Sequence, residues 1–260
     1  MKLHRIWATF LRYFYFFAKL DQLYDLFYWP AVDIILWGMT SLWIQTGESK
    51  IPDIALAILT GLVFWHIIWR SNYEVTVNLL QEFWNRNMVN IFSTPLKLSE
   101  WMAATMLIGV LKAFISLIFG GLVVWFFYTL NIFSMGWAFL PFCASLTLSG
   151  WFIGFLSASI MVYYGQRVQM IAWITPYVFA PFCAVFYPVS VLPVWAKSIA
   201  YCLPMTYIFE GMRKVLFENV FSYKMLFISI GMNLVFLVLS MALFKFMFEK
   251  SRSKGLARLE

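Results

Sequence analysis

The chain reads as an all-α integral membrane protein with about six transmembrane helices, and three observations carry that reading. Its 260 residues are 63% hydrophobic and only 12% charged, against about 25% charged in a typical soluble domain. Phenylalanine (28), tryptophan (13) and tyrosine (13) crowd long apolar runs. Polar surface is too scarce to cover a water-facing globule, so the bilayer is the main solvent, and there only helices or a closed barrel satisfy the backbone. The runs are long and continuous, which selects helices.

The elements follow in order. Residues 1–22 predict an amphipathic helix in the cytoplasmic interface, because Lys2, Arg5, Thr9 and Arg12 recur at three- and four-residue steps and leave Ile6, Trp7, Phe10, Phe14 and Phe17 elsewhere. Arg12 interrupts the early apolar run and no small-residue cleavage site follows, which argues against a signal peptide. Spans are expected at Phe27–Thr46, Ile54–Ser71, Met102–Thr129, Trp137–Tyr164, Met170–Tyr187 and Met225–Phe248. Residues 72–100 form the longest cytoplasmic connection and 188–223 an external region, so 1–260 is one transmembrane domain.

Basic residues orient the set. Lys2, Arg5, Arg12 and Lys19 precede the first span, while Lys245, Lys250, Arg252, Lys254 and Arg258 end the chain. Both termini are expected in the cytoplasm, with the protein in the cytoplasmic (inner) membrane. Lys197, Arg213, Lys214 and Lys224 run against this rule, offset in part by Glu210 and Glu218. The net charge of +7 is spread along span edges, a pattern that suits anionic lipid headgroups rather than nucleic acid. Cys143, Cys183 and Cys202 lack metal-ligand spacing and read as packing residues; no metal is expected.

Several residues stand out within this frame. Gln81, Glu82, Phe83, Trp84, Asn85, Arg86 and Asn87 mix charge with aromatics in the longest cytoplasmic connection, as a protein-docking segment or an interfacial helix would. Pro95 then stops a helix and Ser99 is placed to cap the next. Pro188, Pro193 and Pro204 divide the external region into apolar pieces at Val194–Leu203 and Ile208–Glu218, too short to cross and expected to be re-entrant. Lys112 lies eleven residues beyond Trp101, about 16 Å along a helix. At that depth it either faces protein or water, as a pathway or interface residue, or snorkels to the edge. Asp33 is similarly buried-looking, and His66 reads as a lone packing histidine. Gly150, Gly154 and Ala158 let two helices approach closely, within one chain or across a dimer. Pro176 and Pro181 should kink the fifth span.

The stretch RNMVNIFSTPLKLSEW at 86–101 resembles a segment of type-2 ATP-binding-cassette exporter permeases, in which an S/T-P-L element leads into E-W at the third span. Tyr187-Pro188-Val189-Ser190-Val191-Leu192-Pro193-Val194-Trp195, followed by Leu203-Pro204-Met205-Thr206-Tyr207, is similar to that family's pairing after span five. Leu203 and Met205 depart from the commoner asparagine and leucine. The resemblance implies a permease working as two copies with two ATPase subunits, and an outer gate that includes Pro188, Pro193, Pro204 and Tyr207. It also implies export of something amphipathic: a lipid-linked glycan, a lipid or a hydrophobic drug. No glycine in the chain is followed by lysine, so there is no P-loop. ATP is therefore expected on a separate subunit, with no cofactor and no catalysis on this chain. The alternative is a secondary transporter or channel, for which only Asp33 and His66 qualify as intramembrane coupling groups. A lipid-modifying enzyme would need a reactive cluster at one depth, and the sequence offers none.

Overall fold

A computed structural model describes residues 1–17, 20–47 and 54–256. The described residues form helices with no strand. They are α1 (Leu3–Phe17), α2 (Leu20–Gly47), α3 (Ile54–Trp84), α4 (Met88–Ser93), α5 (Leu98–Tyr128), α6 (Phe139–Tyr164), α7 (Ile171–Phe179), α8 (Val194–Tyr201), α9 (Pro204–Glu218) and α10 (Tyr223–Arg252). Four of the described helical segments are long and apolar enough to cross a membrane: α3, α5, α6 with its flanking 3₁₀ turns, and α10. α2 has 28 residues but carries Asp25 and Asp33 and lies outside that set.

α3 is the central rod. From Leu59 to Phe83 every residue except Trp69 is buried, because α2, α5, α6 and α7 pack around it. The two glycines of α6 make one of these contacts. A Cβ on Gly150 would stand 2.5 Å from Ser71 Cβ and 2.6 Å from the Ile68 carbonyl, and one on Gly154 would stand 3.0 Å from Val75 Cβ. Gly150 and Gly154 thus face α3 of the same chain, the intramolecular alternative for this pair. α10 docks on the other side of α6 through a buried polar knot. Asn233 Nδ2 donates to the Ser145 carbonyl (3.0 Å), Ser149 Oγ donates to Asn233 Oδ1 (2.8 Å), and the hydroxyls of Ser145 and Ser229 meet at 2.8 Å. Such bonds satisfy groups that hydrocarbon cannot.

Three boundaries differ from expectation. The second span does not stop at Ser71: at 31 residues, α3 is about 46 Å long, against a hydrocarbon core of ~30 Å. The supposed connection at 72–84 is helix, because its polar side chains find partners on neighbouring elements. The fifth span is not continuous. α7 and the 3₁₀ turn after it end at Phe182, the chain turns at Ala184 with φ 57°, and twelve residues reach only about 18 Å. Pro176 lies within α7 and Pro181 in the 3₁₀ turn, where a missing N–H weakens helix propagation. Finally, α5 starts at Leu98 rather than after Ser99. The Glu100 carboxylate does the capping, accepting from the Lys97 N–H (3.0 Å) and from the Lys2 N–H (2.7 Å).

α1 lies against the ends of α3 and α5, so the charged face expected to meet headgroups is partly used on protein. Arg5 reaches the Pro95 carbonyl, Arg12 pairs with Glu82 at 2.8 Å, and Ile6 and Tyr13 are buried. At the same end Lys254 Nζ donates to Tyr163 Oη (3.0 Å), which gathers both terminal segments there. At the opposite end α8 and α9 are separate short helices, with Pro204 opening α9. Arg213 donates to the Ala184 carbonyl (2.7 Å) and pairs with Glu210 at 3.1 Å, while Glu210 accepts from the Val189 N–H (2.7 Å). These bonds pin the turn after α7 to α9.

Candidate functional site

Residues at four-residue steps on α3 share a slowly winding face, drifting about 40° per step. His66, Arg70, Glu74, Asn78 and Glu82 occupy those steps and are all buried. Their charges are met from other helices. Arg70 donates to Asp25 Oδ2 of α2 at 3.0 Å and to the Asp25 carbonyl at 3.1 Å, and stands 3.7 Å from Glu74. Glu74 in turn accepts from Lys112 of α5 at 2.8 Å. Asp25, Arg70, Glu74 and Lys112 form a chain of alternating sign that sums to zero, the arrangement under which buried charge is tolerable. Lys112 faces protein, on the pair it makes with Glu74.

Beside this chain a cavity of about 510 Å³ opens between α2, α3 and α7. Its walls are mainly aromatic, from Trp29, Trp65, Trp69, Tyr73, Trp173 and Tyr177. Asp25, Asp33, His66 and Arg70 supply its polar atoms, and Pro30 and Met170 complete the lining. Trp29, Met170 and Tyr177 are exposed at the mouth. His66 Nε2 is 3.6 Å from Asp33 Oδ2 and has no hydrogen-bond partner. A large apolar concavity with a few convergent polar groups has the character of a binding site.

Two routes lead from the cavity to the end that carries both terminal segments. Trp173 stacks on Trp84 with ring centroids 6.4 Å apart, and Trp84 Nε1 donates to Gln169 Oε1 (3.1 Å). The second route is the polar face of α3 itself, whose last member is Glu82. That carboxylate accepts from Arg12 (2.8 Å), Tyr13 Oη (3.0 Å) and Asn87 Nδ2 (2.9 Å). Tyr13 Oη also accepts from Trp101 Nε1 (2.7 Å). Burial and the facing Glu82 carboxylate hold the Tyr13 phenol well above its ordinary pKa.

The docking segment expected at Gln81–Asn87 divides. Gln81, Glu82 and Phe83 are buried within α3, whereas Trp84, Asn85 and Arg86 are exposed and Asn87 is half-buried. Phe83 is therefore a core residue and not an exposed anchor. α4 follows directly, with Val89 and Asn90 exposed. At the far end Pro188 and Pro193 precede short helical turns, and Tyr207 Oη donates to the Tyr201 carbonyl (2.9 Å).

A match to the family described as ABC-2 type transporter covers residues 8–217, from α1 through the cavity, the Trp84–Asn87 turn and nearly all of α9. The chain belongs to the ABC-2 type transporter family. It is therefore a transmembrane permease component of that class, built of membrane helices. α10 lies beyond the matched residues and joins the bundle through the α6 knot. No individual curated protein matches the chain.

Sequence reasoning took His66 as solitary and missed Arg70, Glu74, Asn78 and Glu82 as one face. The four-residue spacing carried the signal, but treating 72–100 as a connection cut the helix in the middle of it.

Proposed function

We propose that the chain is the permease subunit of an ATP-driven exporter that moves an amphipathic substrate out across the cytoplasmic membrane, as two copies with two separate ATPase subunits. The aromatic cavity between α2, α3 and α7 is the observation that carries this reading, because it pairs apolar walls with a small polar cluster inside the bundle. The exposed apolar residues of α2 and α7 flank its mouth, so a second copy facing these helices closes the path around the substrate. The end with both terminal segments lies in the cytoplasm, on the strength of Lys2, Arg5, Arg12, Arg86, Lys97, Lys245 and Arg252 gathered there. The ATPase seats on Trp84–Arg86 and α4, and its movement reaches the cavity through Trp84 and Trp173. α8 and α9 return to the outer face without crossing and close the exit.

Cysteine labelling tests the topology in a background lacking the three native cysteines. Probes at Ser190 and Val220 react with an impermeant reagent added outside, and one at Ser253 does not. Labelling of Ser190 and Val220 from opposite sides contradicts the proposal. Coupling is tested separately by Trp84→Ala, which should assemble with the ATPase yet lose substrate-stimulated ATP hydrolysis.

A further inference from the structure

The cavity presents two polar groups that the described protein leaves unsatisfied. Its other charges are committed, Arg70 to Asp25 and Glu74, and Glu74 to Lys112. Asp33 lies outside that balanced chain, with its side chain 38% exposed and its carboxylate making no hydrogen bond among the described residues. His66 Nε2 is buried and unpartnered, 3.6 Å from Asp33 Oδ2 and beyond hydrogen-bonding range of it. In the neutral ring one imidazole nitrogen is an acceptor. With Nε2 in that role, two acceptors face one space and no donor fills it.

We propose that Asp33 and His66 together bind the protonated amine of an amphipathic cation, whose apolar body lies among Trp29, Trp65, Trp69, Trp173 and Tyr177. The proposal rests on the reading of this cavity as the substrate path. An ammonium nitrogen about 2.8 Å from each acceptor fits between groups at this separation and donates to both. The aromatic faces attract the same cation through their quadrupoles. The volume of about 510 Å³ falls in the range that takes a drug-sized molecule. A neutral glycan offers hydroxyls for stacking and hydrogen bonding, but leaves the Asp33 charge uncompensated beside apolar walls, a costly state.

The test uses the full chain in nanodiscs of zwitterionic lipid, so that no anionic headgroup competes for cations. Dansylcadaverine, a fluorescent primary amine, is compared by anisotropy with its neutral N-acetyl derivative and its trimethylammonium analogue, with empty nanodiscs subtracted. The amine should bind roughly 30-fold or more tightly than the acetylated probe, as expected for a partly desolvated charge pair. Asp33→Asn should erase that preference while leaving the acetylated probe's affinity unchanged. His66→Phe should weaken the amine more than the trimethylammonium analogue, which has no N–H to donate. Equal binding of the amine and the acetylated probe to the unaltered chain overturns the proposal, and this comparison needs no variant to fold. If both then bind equally and both are lost in Trp65→Ala, the amine assignment falls and the cavity reading stands. If no probe binds saturably, both fall together.

Discussion

Glu74 holds two cations inside the bundle, so its removal should be among the most damaging single changes in the protein. Glu74→Gln leaves Lys112 Nζ without its carboxylate at 2.8 Å and removes the partner of Arg70 at 3.7 Å. Breaking a buried pair from one side typically costs about 3–5 kcal/mol. A lysine charge that has lost its carboxylate at span depth accounts for up to ~2.5–3.5 kcal/mol of that on insertion scales. Lys112→Met is milder, because Glu74 keeps Arg70 and the Asn78 amide at 3.3 Å, and a loss of about 1–3 kcal/mol is expected. The double variant removes both charges, leaves Arg70 with Asp25, and should cost roughly 2–3 kcal/mol less than the sum of the singles. Equilibrium unfolding of the purified chain in mixed detergent and dodecyl sulfate micelles, followed by tryptophan fluorescence, reads all three. Additive losses, or a Glu74→Gln cost below about 1 kcal/mol, would refute the charge chain as described.

Further expectations can be checked with the same material. Gly150→Ala should destabilise by about 1–3 kcal/mol, since its methyl meets Ser71 and the Ile68 carbonyl. Gly231→Ala has open space and should be neutral or stabilise by up to ~1 kcal/mol in the same unfolding assay. Phe83→Ala should cost about 3–5 kcal/mol as a fully buried side chain, whereas Trp84→Ala should lower coupled ATP hydrolysis with little change in stability. Tyr13→Phe removes the hydroxyl shared by Glu82 and Trp101, for a loss of about 1–3 kcal/mol. Because the folded Tyr13 pKa is raised, its contribution is complete below about pH 10, the unfolded value, and declines as pH rises beyond it. The alkaline loss of stability should therefore be shallower in Tyr13→Phe when unfolding is repeated across that range.

The class of the protein was legible in its apolar runs, and the two short helices around Pro204 in its prolines. Those signals are local, because hydropathy and a missing N–H act where they stand. The charged face of α3 was legible only as a four-residue spacing, since Glu74 and Glu82 resemble loop residues until Lys112 and Arg12, far away in sequence, are seen to neutralise them. The break after α7 was only half visible: prolines announced a kink, and the turn at Ala184 depends on Arg213 and Glu210 of α9 holding it. Gly150 and Gly154 announced a close approach, but a glycine pattern does not name its partner, which is α3 of the same chain.

The central claim is ATP-driven passage of an amphipathic substrate through the cavity between α2, α3 and α7. Inside-out vesicles containing the chain and its ATPase, in the cysteine-free background, can be offered a panel of hydrophobic drugs and a lipid-linked glycan. The account predicts ATP-dependent uptake of at least one of them, blocked when a bulky thiol reagent modifies Tyr177→Cys at the cavity mouth and unaffected when it modifies Leu234→Cys on the outer face of α10, both exposed positions. Uptake that persists after the cavity is blocked, or that needs an ion gradient and no ATP, would contradict it.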